Sequence, residues 1–340
     1  SILGLCECMA GKAAYGVLSA LVVTYLFLGG TGAGACFVLA VLGLLIPRED
    51  MGAVGSRSAR FARFLPCRPY ASFFIVGYTA SLVALALGSV CLMADLGRAD
   101  RIALLFVSPE FTLINAGTWS IACCMALVCA MLALWGSVFR CSVFAVRVVQ
   151  AVLAGVSFFV MLYTGLLLSS IAAVPLWHSA WVPVLFVLSA LSCGVACVVA
   201  ATQAAGAARP FRGVMRSLLR FDVAAIVFEL AALIAFVAFA WADTQAPVAT
   251  HTLAAQAASL DILLKGEAAW VFWGVFITAG LFAPLCVEAF AVTKAPDLMR
   301  PAPSFCAAAC VLTGGFALRA CIVWAGVHPI VSSASAILIG

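Results

Sequence analysis

Eight stretches of this chain are long enough to cross a bilayer and nearly free of charge: 14–46, 70–94, 111–137, 142–174, 180–204, 218–242, 268–293 and 303–330. A spanning helix needs about 20 apolar residues, whereas a spanning strand needs about half that and alternates in polarity. These runs are continuous, so each predicts an α-helix, the form that satisfies every backbone N–H and C=O within its own segment. The first and fourth runs exceed the bilayer thickness and are expected to tilt or protrude. Of the 340 residues, 66% are hydrophobic and 9% charged. A soluble domain carries roughly 25% charged residues. The composition excludes a cytosolic enzyme, a secreted disulfide scaffold, a nucleic-acid binder and a disordered chain. The fold class is all-α, integral to the membrane, with eight transmembrane helices.

The distribution of Lys and Arg sets the expected orientation. Thirteen flank one side: Arg48, Arg57, Arg60, Arg63, Arg68, Arg140, Arg147, Arg209, Arg212, Arg216, Arg220, Lys294 and Arg300. Four flank the other: Lys12, Arg98, Arg101 and Lys265. The arginine-rich side is predicted to be cytoplasmic, with both termini outside. Trp177, Trp181, Trp241, Trp270 and Trp324 fall near outer helix ends, as an interfacial belt would. The stretch after Lys12 is too long for the apolar core of a secretory leader and reads as a spanning helix.

Most of the 15 cysteines sit inside apolar runs, where a thiol behaves as a small hydrophobe. Cys6 and Cys8 form the one pair in a polar setting, either inert or a disulfide. No Cys spacing suits zinc or attached haem, so no metal site is expected. Only three histidines occur, His178, His251 and His328, all near outer helix ends. A bis-His haem b needs two facing each other inside the bilayer, so no haem is expected.

Charges at membrane depth cost a few kcal/mol each and are therefore informative. Glu229 lies mid-run in the sixth segment, and Asp222 seven residues earlier shares its face. Glu288 lies in the seventh segment and Arg319 in the eighth. Two readings fit them: a buried ion pair with Arg319, or a polar route for protons or a redox carrier's head group. In the first run, YLFLGGTGAGA (25–35) holds a GxxxG at Gly30 and Gly34. It suits close helix packing, or else room for a flat ligand against bare backbone.

Several segments together carry a resemblance. They are YLFLGGTGAG in the first run, DLGRADRIALLFVSPEFTLINAGTW (95–119), YTGLLLSSIAAVPLWHSAWVPVLFVLSALSCG (163–194), Glu229, and GGFALRACIVWAG (314–326). In this order they resemble the NrfD/PsrC family, membrane subunits of bacterial molybdopterin and multihaem oxidoreductases. Two departures stand out. The stretch AAYGVLSALVVTY lacks the His or Asn that relatives often carry there, and Glu110 stands where a hydrophobe or Met is common.

The resemblance implies two four-helix bundles, residues 1–174 and 175–340, in a bacterial inner membrane. It implies a bound, exchangeable menaquinone or other quinone. It also implies a ferredoxin-like 4Fe–4S partner subunit and, through it, a molybdopterin or multihaem catalytic subunit. Electrons would leave through that partner, because the chain shows no redox centre of its own. A quinone is then expected near the outer end of the first bundle, against Tyr163, Asp95, Trp119, Tyr25, Gly30 and His178. Tyr163 could equally be a packing aromatic, and Asp95 could instead pair with Arg98 or Arg101. Arg98, Asp100, Arg101 and Glu110 make a charged loop suited to docking the partner, or merely solvated. Glu229, Arg319, Asp222 and Glu288 would form a second polar track, a proton pathway or a buried ion pair. A secondary transporter of a small solute is the alternative function, although no internal repeat supports it.

Overall fold

The computed structural model describes the backbone of residues 2–47, 64, 66–96, 113–139, 141–171, 174–244, 251–266, 268–293 and 301–339. Side chains are described over the same residues except 2–19, 96, 114, 251–254, 301–302 and 327–339. Every extended element among them is helical: α1 (Ile2–Leu45), α2 (Arg68–Leu96), α3 (Leu113–Trp135), α4 (Val143–Ser169), α5 (Trp181–Ala204), α6 (Arg212–Thr244), α7 (His251–Leu264), α8 (Ala283–Thr293) and α9 (Pro301–Ile339). A 3-10 turn at Arg209–Phe211 leads into α6, and a π-helix at Val271–Phe282 runs directly into α8. Eight spans are long and apolar enough to cross a membrane, the π-helix and α8 together forming one.

Three local features depart from the sequence reading. The fourth helix ends at Ser169, not at 174, and the chain turns through Val174–Ala180. The last turn carries Ser169 and Ser170, whose hydroxyls donate to the carbonyls of Gly165, Leu166 and Leu167, and Pro175 bars a helix from running on past Val174. Next, the stretch between the sixth and seventh runs, outside every expected span, contains α7, whose Leu260 and Leu263 are buried in the second core. Last, Trp177 does not sit in an interfacial belt. It is buried, its indole Nε1 donates to the Ile322 carbonyl at 2.8 Å, and its ring rests on Gly326.

The π-helix replaces i→i−4 bonding over three turns of the seventh span. The Ala283 N–H bonds the Thr278 carbonyl, and Thr278 Oγ1 donates to Trp273 at 2.7 Å, both across five residues. Pro284 cannot donate to the Gly280 carbonyl, so normal winding is interrupted there. Wide π turns of this kind concentrate at functional sites.

Helix α1 is the hub, packed on α2, α4, α5 and α9. The small residues of 25–35 make this possible. A Cβ on Gly34 would run into the Ala190 carbonyl of α5, and one on Gly194 into the Gly34 backbone. The close-packing reading of the GxxxG therefore holds at Gly34. A second backbone crossing joins Gly280 of the π-helix to Gly314 of α9.

Two apolar cores result. One gathers α1–α4 with one end of α5; the other gathers the opposite ends of α1 and α5 with α6, α7, the π-helix and α9. Large apolar side chains such as Phe228, Ile234, Phe239 and Phe290 face outward instead. Such a surface would be a liability in water and is the normal one against lipid tails.

Candidate functional site

Helix direction brings Tyr25, Asp95 and Tyr163 toward the same end of α1, α2 and α4. Tyr25 opens the spanning part of α1, whereas Asp95 and Tyr163 lie toward the ends of α2 and α4. Tyr25 and Tyr163 are each 3% exposed. Their phenols are neighbours, and Asp95 is in electrostatic reach of Tyr25. The Tyr25 hydroxyl and Asp95 Oδ1 are buried; Tyr25 has only the neighbouring Tyr163 phenol to pair with, and Asp95 Oδ1 meets no partner among the described residues. Leaving such a group unpaired costs about 1–3 kcal/mol, so buried polar atoms in native structures are nearly always satisfied.

Space lies beside them. Gly29 is one turn beyond Tyr25 on the same face of α1. Gly29 is buried, but no described atom lies within 4 Å of where its Cβ would stand. On the other side the Tyr163 ring packs directly on Gly117 of α3, where a Cβ would collide with it. The sequence reading did not single out Gly117, although its place in AGTW, inside the 95–119 segment, was the available signal.

The remaining expected contacts fall elsewhere. Trp119 is 55% exposed on α3. Gly30 faces the second bundle, where a Cβ would stand 2.8 Å from Arg319 Nη2. His178 is exposed, with Nδ1 3.0 Å from the Ser169 carbonyl. It edges a cleft of about 480 Å³ with Trp181, Phe239, Asp243 and Gln256. Arg98, Asp100, Arg101 and Glu110 lie outside the described residues, as do the side chains of Cys6 and Cys8.

The second constellation is wholly interior. Arg319 of α9 is fully buried. Its Nη1 donates to the Gly315 carbonyl at 2.7 Å and to Ser189 Oγ at 3.3 Å, and its Nε donates to the Leu26 carbonyl at 3.2 Å. The guanidinium carbon lies 5.3 Å from the Phe186 ring centroid and 5.9 Å from that of Phe27, within cation–π range. Glu229 of α6 has Ser189 and Arg319 as its polar neighbours. No carboxylate stands within 4.0 Å of Arg319, the one ion pair among the described residues being the exposed Lys265–Asp261. The buried ion-pair reading thus fails as a direct contact. Arg319 is anchored by neutral oxygens, with Ser189 between it and Glu229.

Further along, Asp222 of α6 and Glu288 of α8 are neighbours, with Ser192 beside Asp222. Ser189 and Ser192, three residues apart on α5, connect the two halves of this track. The sequence reading missed both serines, though SALSC placed them on one helical face. Arg319 Nη2 is buried without a partner, and the buried oxygens of Ser192, Asp222 and Glu288 have only one another as close polar neighbours. A run of buried donors and acceptors with so few protein partners is what bound water requires. The two constellations meet on α1, where Tyr25 belongs to the first and the next residue's carbonyl holds Arg319.

The family model described as "Polysulphide reductase, NrfD" matches residues 9–330. The chain belongs to this family. NrfD proteins are membrane subunits of respiratory oxidoreductases of the polysulfide reductase kind, and nearly the whole chain is covered. No curated protein matches the chain. A multi-pass NrfD protein works in association with other oxidoreductase subunits, and its long apolar helices place it in a membrane.

Proposed function

We propose that this NrfD protein exchanges electrons between the quinone pool and an iron–sulfur partner subunit, with menaquinone or another quinone bound between α1 and α4. One observation carries the reading. Tyr25 Oη, met only by the Tyr163 phenol, and Asp95 Oδ1, which meets no described partner, are buried within electrostatic reach of each other, and no described atom fills the position of a Gly29 Cβ one turn along α1. A quinone fits this donor set, since its ring is flat and its two oxygens accept hydrogen bonds. When bound as quinol it supplies two electrons and two protons. Tyr163 and Tyr25 would hold and orient one ring oxygen through their hydroxyls. Asp95, at the end of α2, would accept a proton and release it to the water side. Gly29 leaves the α1 side open, and Gly117 lets the Tyr163 ring lie against α3.

The electrons would pass to a ferredoxin-like 4Fe–4S subunit seated on the charged stretch 95–110, which follows Asp95 directly in sequence. That subunit would in turn serve a molybdopterin or multihaem catalytic subunit. The arginine asymmetry favours an outward orientation for this face, and the membrane in this reading is a bacterial inner membrane. In the same reading, the track Glu229–Ser189–Ser192–Asp222–Glu288 conducts protons. Its buried oxygens, with few protein partners, favour a hydrated path over a static ion pair. No observation favours the transporter alternative.

Gly29 separates pocket from packing. Gly29→Ala should fold as well as wild type, since a Cβ meets no described atom and alanine favours helix by about 0.5–1 kcal/mol. Gly29→Phe should fill the space and lower quinol oxidation by the assembled complex at least about tenfold, with normal assembly. Wild-type turnover in Gly29→Phe would remove quinone from this cleft.

A further inference from the structure

A cleft of about 480 Å³ opens at the end of the molecule where α4 stops, α5 begins and α6 ends, within the roughly 300–1,000 Å³ of ligand sites. His178, Ser179, Trp181, Phe239, Asp243 and Gln256 line it, and no Lys or Arg does. Its hydrogen-bonding character follows from how these side chains are already committed. The Ser169 carbonyl can only accept, so His178 Nδ1, 3.0 Å away, carries the proton, and the neutral ring keeps a lone pair at Nε2. The Ala240 carbonyl fixes the Gln256 amide in the same way. Gln256 Nε2 donates to that carbonyl and to Asp243 Oδ2, both at 3.4 Å, which spends its two N–H groups and leaves Oε1 to accept. Asp243 is exposed and makes no ion pair among the described residues. The cleft therefore offers a carboxylate and two neutral acceptors. Trp181 and Phe239, with ring centroids 5.7 Å apart and planes 25° from parallel, form one apolar wall beside them.

We infer that this cleft receives an arginine side chain from a subunit associated with this chain. The acceptor set selects a cation with several N–H groups, and a guanidinium carries five in one rigid plane. Two of them would meet the Asp243 carboxylate as a fork, and the others would reach Gln256 Oε1 and the His178 ring. The methylene stem would lie along the Trp181–Phe239 wall. A phosphate or carboxylate in the same place would face Asp243 and find few donors. A lipid ammonium would meet the carboxylate, but it has no flat fork to span the separate acceptors. The arginine is assigned to a neighbouring subunit because NrfD proteins work in association with other oxidoreductase subunits. The inference rests on that association and not on the quinone cleft. It adds a contact on α5, α6 and α7 to the one proposed at 95–110.

The complex, purified in mild detergent with its native subunits, is treated with phenylglyoxal, which modifies arginine, and the modified sites are read by mass spectrometry. One arginine of an associated subunit should be protected in wild type and should react about fivefold faster in Asp243→Asn. Asp243→Arg should raise the dissociation rate of that subunit about tenfold, because like charges then face each other. The melting midpoint of the chain should hold in both variants, since Asp243 is exposed at the end of α6. Quinol oxidation by Asp243→Asn complexes that stay assembled should be unchanged, so failure of this inference is distinct from failure of the quinone reading. Equal protection of every subunit arginine in wild type and Asp243→Asn overturns the inference. So does a wild-type dissociation rate in Asp243→Arg. Loss of bound phosphatidylethanolamine from Asp243→Asn, with no change at any arginine, would assign the cleft to a lipid ammonium instead. Phe239→Ala removes part of the wall but no charge, and it should expose the same arginine; it keeps the test decisive if the Asp243 variants fail to accumulate.

Discussion

Asp95→Asn should lower quinol oxidation by roughly 100-fold, the low end of what a positioned proton acceptor contributes. Asparagine keeps the size and burial of the side chain but cannot take up a proton. Assembly and melting midpoint should be unchanged, since Asp95 Oδ1 makes no hydrogen bond to a described residue. Tyr163→Phe should cost about tenfold or more, because it removes a hydroxyl while leaving the ring on Gly117. The two losses should fall short of additive, as expected for groups acting on one bound ring. Turnover by purified complex with a short-chain menaquinol measures both. Wild-type rates in Asp95→Asn would assign the carboxylate to an ion pair with Arg98 or Arg101 instead.

Arg319→Ala should destabilise the protein by about 3–5 kcal/mol, the range found when one member of a buried charged network is removed. Three protein acceptors lose their donor at once: the carbonyls of Leu26 and Gly315 and the hydroxyl of Ser189. Arg319→Lys should recover little, since an ammonium lacks the planar fork that reaches α1, α5 and its own helix together. The companion Glu229→Gln distinguishes this network from an ion pair. If Arg319 merely neutralised Glu229, the double variant Arg319→Met/Glu229→Gln would regain most of the stability. With Ser189 interposed and the guanidinium held by carbonyls, the double variant should remain nearly as unstable as the single one. Thermal unfolding in detergent gives the comparison. An Arg319→Ala protein with the wild-type midpoint would contradict the assignment of Arg319 as a structural keystone.

The spans were legible because lipid imposes one rule on all of them, and apolar length reports it directly. What escaped the sequence lay where that rule is silent. The fourth helix stops at Ser169 inside a run that stays apolar. The segment around Leu260 and Leu263 is too short to span and too apolar to float, so it packs as α7. The π-helix leaves no periodic mark, because its residues are apolar on every side. The site was legible in part for the same reason. Tyr25, Asp95 and Tyr163 stood out as polar groups near one end of apolar runs, and the structure brings them together. Trp119 and Gly30 lay in the right segments, but which face a residue takes depends on packing partners that sequence spacing does not name. Gly30 serves Arg319, 289 residues away in the chain. Ser189 and Ser192 are ordinary in a helix and gain meaning only from what α6 and α9 set against them.

The most direct measurement is electron transfer itself. The complex would be purified in mild detergent with its native partners, mixed with a menaquinol analogue, and followed by EPR for iron–sulfur reduction. The account predicts cluster reduction in wild type, blocked by a quinone-site inhibitor and by Gly29→Phe but preserved in Gly29→Ala. Cluster reduction at the wild-type rate in Gly29→Phe, or none in an intact wild-type complex, would contradict it.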